Sequence, residues 1–333
     1  MNTYYEMPVE VGDEWEEKML KHAYLIMAHG NEDILKKLLN FLDDERNDIY
    51  IHIDKKWTNF NSDIFEICKY SQIFPIARTS VTWGGYSQIN LEYRLIKAAL
   101  NREEKYEYLH LLSGEDLPIK SQDEIHEFFH NNVGKEFLGY DEEWAENKAI
   151  KKRYALYWLM QEKSGKDKRK ICWYLEHILA KIEYILKVDR TKKYEDIKFS
   201  SGPNWFSITG EFAKYVLEQE DMVKRIFKNT VCCDEIFMQT ILRNSKYKNN
   251  LYIPQVDSGL GKVYDQCLRC IEFGQGECSP KYWEYGRVKE LLEYKNMCFA
   301  RKFKYETEED KKMIERLEQE IMNNNLGNII KRC

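Results

Sequence analysis

The sequence predicts an α/β fold built on a mostly parallel sheet with helices on both faces. Two observations point there: short apolar runs alternate with amphipathic stretches from residue 22 onward, and the runs end in polar or glycine-containing clusters. AYLIMAH (23–29) reads as a buried first strand, and Gly30-Asn31 supplies the turn and cap for a helix through NEDILKKLLNFLDDE (31–45). IYIHID (49–54) is the second strand, a helix begins near Ser62, and SQIFPI supplies the third strand. SQINLEYRLIKAALN (87–101) has helical spacing, and YEYLHLLSG (106–114) is the fourth strand. A Lys-rich helical insertion over about 146–198 follows, then sheet-like FSSGPNWFSIT (199–209), a helix through about 228, and CCDEIFMQTILRNS (232–245). YIPQVD (252–257) is read as another short strand. The last element, 306–323, is a charged helix whose Met313, Ile314, Leu317 and Ile321 form one stripe suited to the core or to a dimer contact. The domain plan is an N-terminal extension (1–21), one large domain (22–303) and a C-terminal helical segment (304–333).

Composition narrows the class. With 333 residues, 43% apolar and 32% charged, the chain is an ordinary globule, not a fibre or a disordered segment. No apolar run reaches the roughly 18–20 residues of a membrane span, and the N-terminus lacks a signal-peptide pattern. A cytoplasmic location is therefore expected. The nine cysteines form no disulfide framework. Cys267-x-x-Cys270 followed by Cys278 is half of a zinc pattern without a second pair, so reduced thiols are the expectation and no metal is assigned.

Charge is unevenly spread. Between Lys148 and Lys193 stand 14 Lys+Arg and 5 Asp+Glu, a net of +9 in a chain whose total is −5. Bulky apolar residues interleave with these charges, notably ICWYLEHILAKIEYILKV (171–188). Two readings stand. Either this is a basic amphipathic helical pair that attracts anions such as lipid headgroups or diphosphates, or it is a solvated Lys-rich face with its apolar side in the core. The acidic total and the lack of a nucleic-acid motif argue against nucleic acid as a partner.

The chain has neither a G-x-G-x-x-G after its first strand, nor a P-loop, nor a G-x-S-x-G elbow. Five polar clusters remain at predicted strand ends or helix starts. These are His29-Gly30, His52-Ile53-Asp54-Lys55-Lys56, Val81-Thr82-Trp83-Gly84-Gly85, Ser113-Gly114-Glu115-Asp116-Leu117-Pro118, and Cys233-Asp234-Glu235. Singly, each suits a turn or a cap; together they fall on one edge of one sheet, where α/β folds bind ligands.

LIMAHG, IYIHIDKK, VTWGGYSQIN, YEYLHLLSGEDLPIKS, SGPNWFSIT, DEIFMQTIL and FARKF, in this order, closely resemble the Core-2/I-branching family, glycosyltransferase family 14. That family contains β-1,6-N-acetylglucosaminyltransferases and peptide O-xylosyltransferases, and the resemblance runs from about residue 22 to 303. It implies a GT-A-like fold and an inverting transfer from a nucleotide-sugar, commonly UDP-linked, without a divalent metal. The donor is then a substrate, and no cofactor is needed. On pattern alone Glu235 is a helix-N-terminal acid favoured by the dipole. The resemblance makes it the base that removes the acceptor hydroxyl proton, with Asp234 a cap or positioning residue.

The resemblance also places Asp54 at the uridine end of the donor, with His29 and Trp83 to Ser87 as walls of the same pocket. Glu115-Asp116 stands where other GT-A enzymes carry their metal motif, and Lys302 matches a basic residue that offsets diphosphate charge. Lys281, Arg287 and Arg301 compete for a second basic position. Lys152-Arg153-Tyr154 resembles the acceptor-binding segment, and Trp205, if not a core aromatic, would stack on a sugar. Without an anchor, stem or disulfide pattern, the chain resembles a soluble, bacterial-type member. Its expected acceptor is a lipid-linked oligosaccharide or a growing surface polysaccharide, with peripheral contact to an anionic membrane. Two other readings are a non-catalytic nucleotide- or carbohydrate-binding subunit and a metal-dependent sugar-nucleotide enzyme using Glu115-Asp116.

Overall fold

The structure is a computed structural model that describes residues 20–254, 260–274 and 279–332. Its main sheet has six strands in the order β3-β2-β1-β4-β7-β6. These are β1 Lys21–Ala28, β2 Asn47–Ile53, β3 Gln72–Pro75, β4 Tyr106–Ser113, β6 Phe137–Leu138 and β7 Phe206–Thr209. The first four run parallel, and β7 pairs antiparallel with both β4 and β6. β2 and β4 are buried along their whole length, as strands covered on both faces must be.

Helices cover both faces. On one side α1 (Glu32–Phe41) lays Ile34, Leu35, Leu38 and Leu39 on the sheet, its first turn capped by the Asn31 side chain. α3 (Gln122–His130) joins it, opened by a capping box of Ser121 and Glu124. The stripe Met313, Ile314, Leu317 and Ile321 of the C-terminal helix (Glu308–Arg332) is buried on this side, so it is core and not a dimer contact. On the other side lie α2 (Tyr86–Leu100) and the helices Gly210–Glu218, Glu220–Phe227 and Phe237–Arg243.

A second, three-stranded sheet was not legible in the sequence: β5 (Asp116–Pro118), β9 (Phe299–Arg301) and β8 (Arg269–Ile271) in that order. Arg269 locks it to the main sheet. Its fully buried guanidinium donates to the carbonyls of Leu111 and Phe206, at 3.2 and 3.0 Å, and lies over the Phe299 ring. Beside it three buried histidines pack as rings: His22 stacks on His126 at 4.0 Å, and His110 Nε2 meets His22 Nδ1 at 3.1 Å. Burial keeps all three neutral, lowering His22 to about 3, His126 to about 2 and His110 well below the usual imidazole value.

Several secondary-structure expectations are corrected. The helix near Ser62 is a single 3₁₀ stretch, Ser62–Glu66. Within 199–209 only Phe206–Thr209 is a strand, because Ser201 makes just an isolated bridge to Asp141. Residues 252–254 carry no strand, and 255–257 lie outside the described residues. Cys267, Cys270 and Cys298 are buried thiols pushed up to about 12 by desolvation, and Cys278 lies outside the described residues.

The Lys-rich insertion is helical, as expected: α4 (Glu142–Glu146), α5 (Lys148–Ala155), α6 (Gln161–Ser164) and α7 (Ile171–Ile185). The apolar side of α7, however, faces outward.

Candidate active site

Parallel register builds the site. Ala28 of β1 pairs with Ile53 of β2, and Met27 with Ser113 of β4, so His29, Asp54 and Gly114 follow one another across a single edge. The strand order reverses between β1 and β4, which opens a crevice at that edge. Asp54 is buried and fixes the edge. Its carboxylate accepts from the Lys56 and Val81 backbone N–H groups at 2.8 and 3.2 Å, tying the second polar cluster to the third. His29 is exposed at the end of β1.

From Val81 the chain runs into the loop before α2. Gly84 adopts φ +68°, a left-handed conformation that favours glycine, and its carbonyl accepts from Cys232 N–H at 2.8 Å. That contact brings the loop against the 3₁₀ turn Cys233–Glu235. Trp83 is half exposed, while Ser87 Oγ accepts from Thr82 N–H at 2.8 Å and its own N–H donates to Glu162 of the insertion. Gln88 reaches across to Asp234 Oδ2 at 2.9 Å.

Glu235 is only partly buried, and Arg153 Nη1 donates to its Oε2 at 2.5 Å. Behind it lies a pair of buried acids. Asp234 is raised from 3.8 to about 7 by burial and then by the Glu235 charge, while Glu92 of α2 is raised well above its ordinary value by burial and then by Asp234. Among the described residues, both Glu92 oxygens and Asp234 Oδ1 have no hydrogen-bond partner, which fits acids kept neutral behind a charged one.

The backbone carbonyl of Glu235 accepts from Gly202 N–H at 3.0 Å. Only glycine fits there, because a Cβ on residue 202 would lie 2.0 Å from the Gly139 carbonyl oxygen. Three residues on, the Trp205 ring carries the Arg301 guanidinium at 4.7 Å. Arg301 Nη1 is 2.6 Å from Asp116 Oδ1 and also donates to Ser113 Oγ, and Asp116 Oδ2 accepts the Ser113 N–H at 2.8 Å. An unbroken chain of contacts thus runs from Asp54 through the 81–88 loop to Glu235 and Arg153. It continues through Gly202 and Trp205 to Arg301 and Asp116.

Most of the residues singled out from sequence meet along this chain. Lys302, next to Arg301, lies with its Nζ 4.2 Å from the Tyr282 ring centre and 3.2 Å from Ser279 Oγ, and among the described residues it has no carboxylate partner. Arg287 does not join. Glu272 and Glu290 hold it at 2.6 Å each, outside the chain of contacts that ends at Arg301 and Asp116. Lys152 turns the other way, over the Tyr184 ring of α7 at 4.0 Å. Trp205 is buried, with the Arg301 guanidinium over one face of its ring. Glu92 and Gln88 escaped the sequence reading. Glu92 could have been found, since it falls in the apolar stripe Ile89, Tyr93 and Ile96 of α2, where an acid has no structural reason to be.

The family described as Core-2/I-Branching enzyme matches residues 22–281. Among curated relatives, Xylosyltransferase 2 of Rattus norvegicus is 24% identical over 89% of this chain and 34% of its own length. Xylosyltransferase oxt of Drosophila melanogaster is 24% identical over 86% of this chain and 32% of its own. The chain thus spans about a third of the length of these relatives. Among solved structures, apo mouse Xyloside xylosyltransferase 1 covers 84% of this chain and 97% of its own, at 8% identity and a TM-score of 0.35. With seven motifs in order and the family match over residues 22–281, this chain belongs to the Core-2/I-Branching enzyme family.

Proposed function

We propose that this chain moves a sugar from a nucleotide-sugar, UDP-linked, to a hydroxyl of a glycan acceptor, with inversion and without a metal ion. The observation that carries the reading is Glu235: a carboxylate left partly open to solvent and fixed by the Arg153 guanidinium. Fixing the carboxylate keeps it aimed without reorganisation during reaction. The acceptor oxygen attacks the anomeric carbon as Glu235 takes its proton. The bond from that carbon to the diphosphate oxygen breaks, and the nucleoside diphosphate leaves with the electron pair. Lys302, with Arg301 beside it, receives the charge that develops there. Asp54 and the 81–87 loop form the nucleoside end.

Asp116 supports the metal-free reading, since its oxygens already accept from Ser113 and Arg301 and it is fully enclosed. The curated relatives carry the name xylosyltransferase, so xylose heads the donor sugars to be screened. The acceptor class we favour is a lipid-linked oligosaccharide or a growing surface polysaccharide.

The test is calorimetric titration of UDP with EDTA present, followed by a UDP-sugar turnover assay on wild type and Glu235→Gln. Binding without metal, with turnover lowered by roughly 10²–10⁴ in the variant and UDP affinity unchanged, is the expected result. Retained turnover places the base elsewhere, and binding only after Mn²⁺ is added overturns the metal-free reading.

A further inference from the structure

Helix α7 is built inside out. Its inward side carries Glu176 and Glu183, whose carboxylates accept the backbone N–H groups of Met160 and Tyr157. Its outward side is apolar: Ile171, Leu175, Ile178, Ile182, Ile185 and the capping Leu186 are 46–77% exposed. Their spacing of three, four and seven residues puts them on one continuous stripe. A stripe of that size facing water is unusual for a monomer and marks a surface that meets something apolar.

Charge identifies the partner. Lys166, Lys168, Arg169 and Lys170 precede the helix, Lys181 flanks the stripe, and Lys187, Lys192 and Lys193 follow it, all exposed. An apolar stripe edged by cations at both ends matches the acyl boundary and headgroups of an anionic bilayer. At 15 residues α7 is too short to span, and among the described residues no helix is long and apolar enough to cross a membrane.

We propose that α7 is an interfacial helix that lies flat on an anionic lipid surface, with its flanking lysines at the headgroups. The geometry gives this a use. Lys152 rests on Tyr184 of α7, and its neighbour Arg153 holds Glu235, so a chain docked through α7 keeps the site close to the lipid plane. The docking itself does not depend on the reaction.

The experiment is vesicle flotation of the full chain, with phosphatidylcholine alone and with phosphatidylcholine mixed with phosphatidylglycerol, at low and high salt. Expected is co-flotation with the anionic vesicles, at least about fivefold weaker with neutral ones or at high salt. The Ile178→Glu/Ile185→Glu variant changes only exposed side chains. It should keep the wild-type circular dichroism and urea midpoint while losing association about tenfold. No association of wild type with anionic vesicles overturns the proposal, as does equal flotation of the variant. A wild-type dimer in light scattering that these substitutions dissociate, without vesicle binding, assigns the stripe to a second copy and also overturns it.

Discussion

Removing the Arg301 guanidinium isolates the pair that anchors the second sheet to the site. Arg301→Met keeps most of the side-chain volume but leaves Asp116, 1% exposed, as a buried charge. Truncating one partner of a buried pair costs about 3–5 kcal/mol. Asp116 retains the Ser113 N–H and Oγ, at 2.8 and 3.0 Å, which favours the lower end, about 3 kcal/mol. Loss of the guanidinium from the Trp205 ring adds about 1 kcal/mol, for a sum of roughly 4 kcal/mol. At about 1.5 °C per kcal/mol for a chain of this size, Tm should fall by roughly 6 °C. Urea unfolding without nucleotide, followed by both tryptophan fluorescence and circular dichroism, measures the cost. Adding Asp116→Asn to the same chain removes the orphaned charge, so the double variant should recover about 2 kcal/mol relative to the sum of the singles. A loss below about 1 kcal/mol, or strict additivity, would refute this account of the pair.

Two further predictions concern buried titrating groups. Between the ordinary aspartate value of 3.8 and its folded value of about 7, Asp234 holds a proton in the folded chain that the unfolded chain has lost. Its contribution to stability is therefore whole below about pH 4 and lost as pH rises to 7, so Asp234→Asn should match wild type near pH 4 and exceed it by about 4 kcal/mol near pH 8. Urea midpoints at the two pH values decide this, and a gap that does not change with pH would count against it. His126 has the opposite sign: held at about 2 by burial, and then by His22 and Arg46, it binds its proton only in the unfolded chain once pH drops below 6.5. The deficit of His126→Gln measured near pH 7.5 should accordingly shrink by about 2 kcal/mol near pH 5, and a constant deficit would mean that His126 is not held neutral.

The sequence was most informative where a local rule and the tertiary fold agree. The runs of β1, β2 and β4 are long enough to be read as strands, and their parallel register then puts His29, Asp54 and Gly114 on one edge without further information. The three-residue strands β5, β8 and β9 are too short for any period to show. With them the Asp116–Arg301 pairing was hidden, since 185 residues separate its members. The Arg153–Glu235 contact was half visible: the family resemblance named both residues on the acceptor side, one as base and one as binding residue, without pairing them. The capping box of Ser121 and Glu124 does announce α3, but of the two only Ser121 falls within the motifs that carried the reading. In α7 the period was legible and its direction was not, because a helical wheel shows an apolar face without saying whether core or solvent lies beneath it.

The second sheet also dictates when the site can come into being. Its central strand β9 is residues 299–301, whereas Asp54, Trp83 and Ser113 stand nearly 190 residues or more ahead of it. During synthesis the β1–β4 unit can therefore form with Asp116 still unpaired, while Arg301 and Lys302 are not yet made. In the proposed function the leaving-group end therefore forms after the nucleoside end, once synthesis has passed residue 302. On that assignment a chain stopped at Glu293 should fail to bind UDP, so a truncated product would not hold nucleotide away from longer chains.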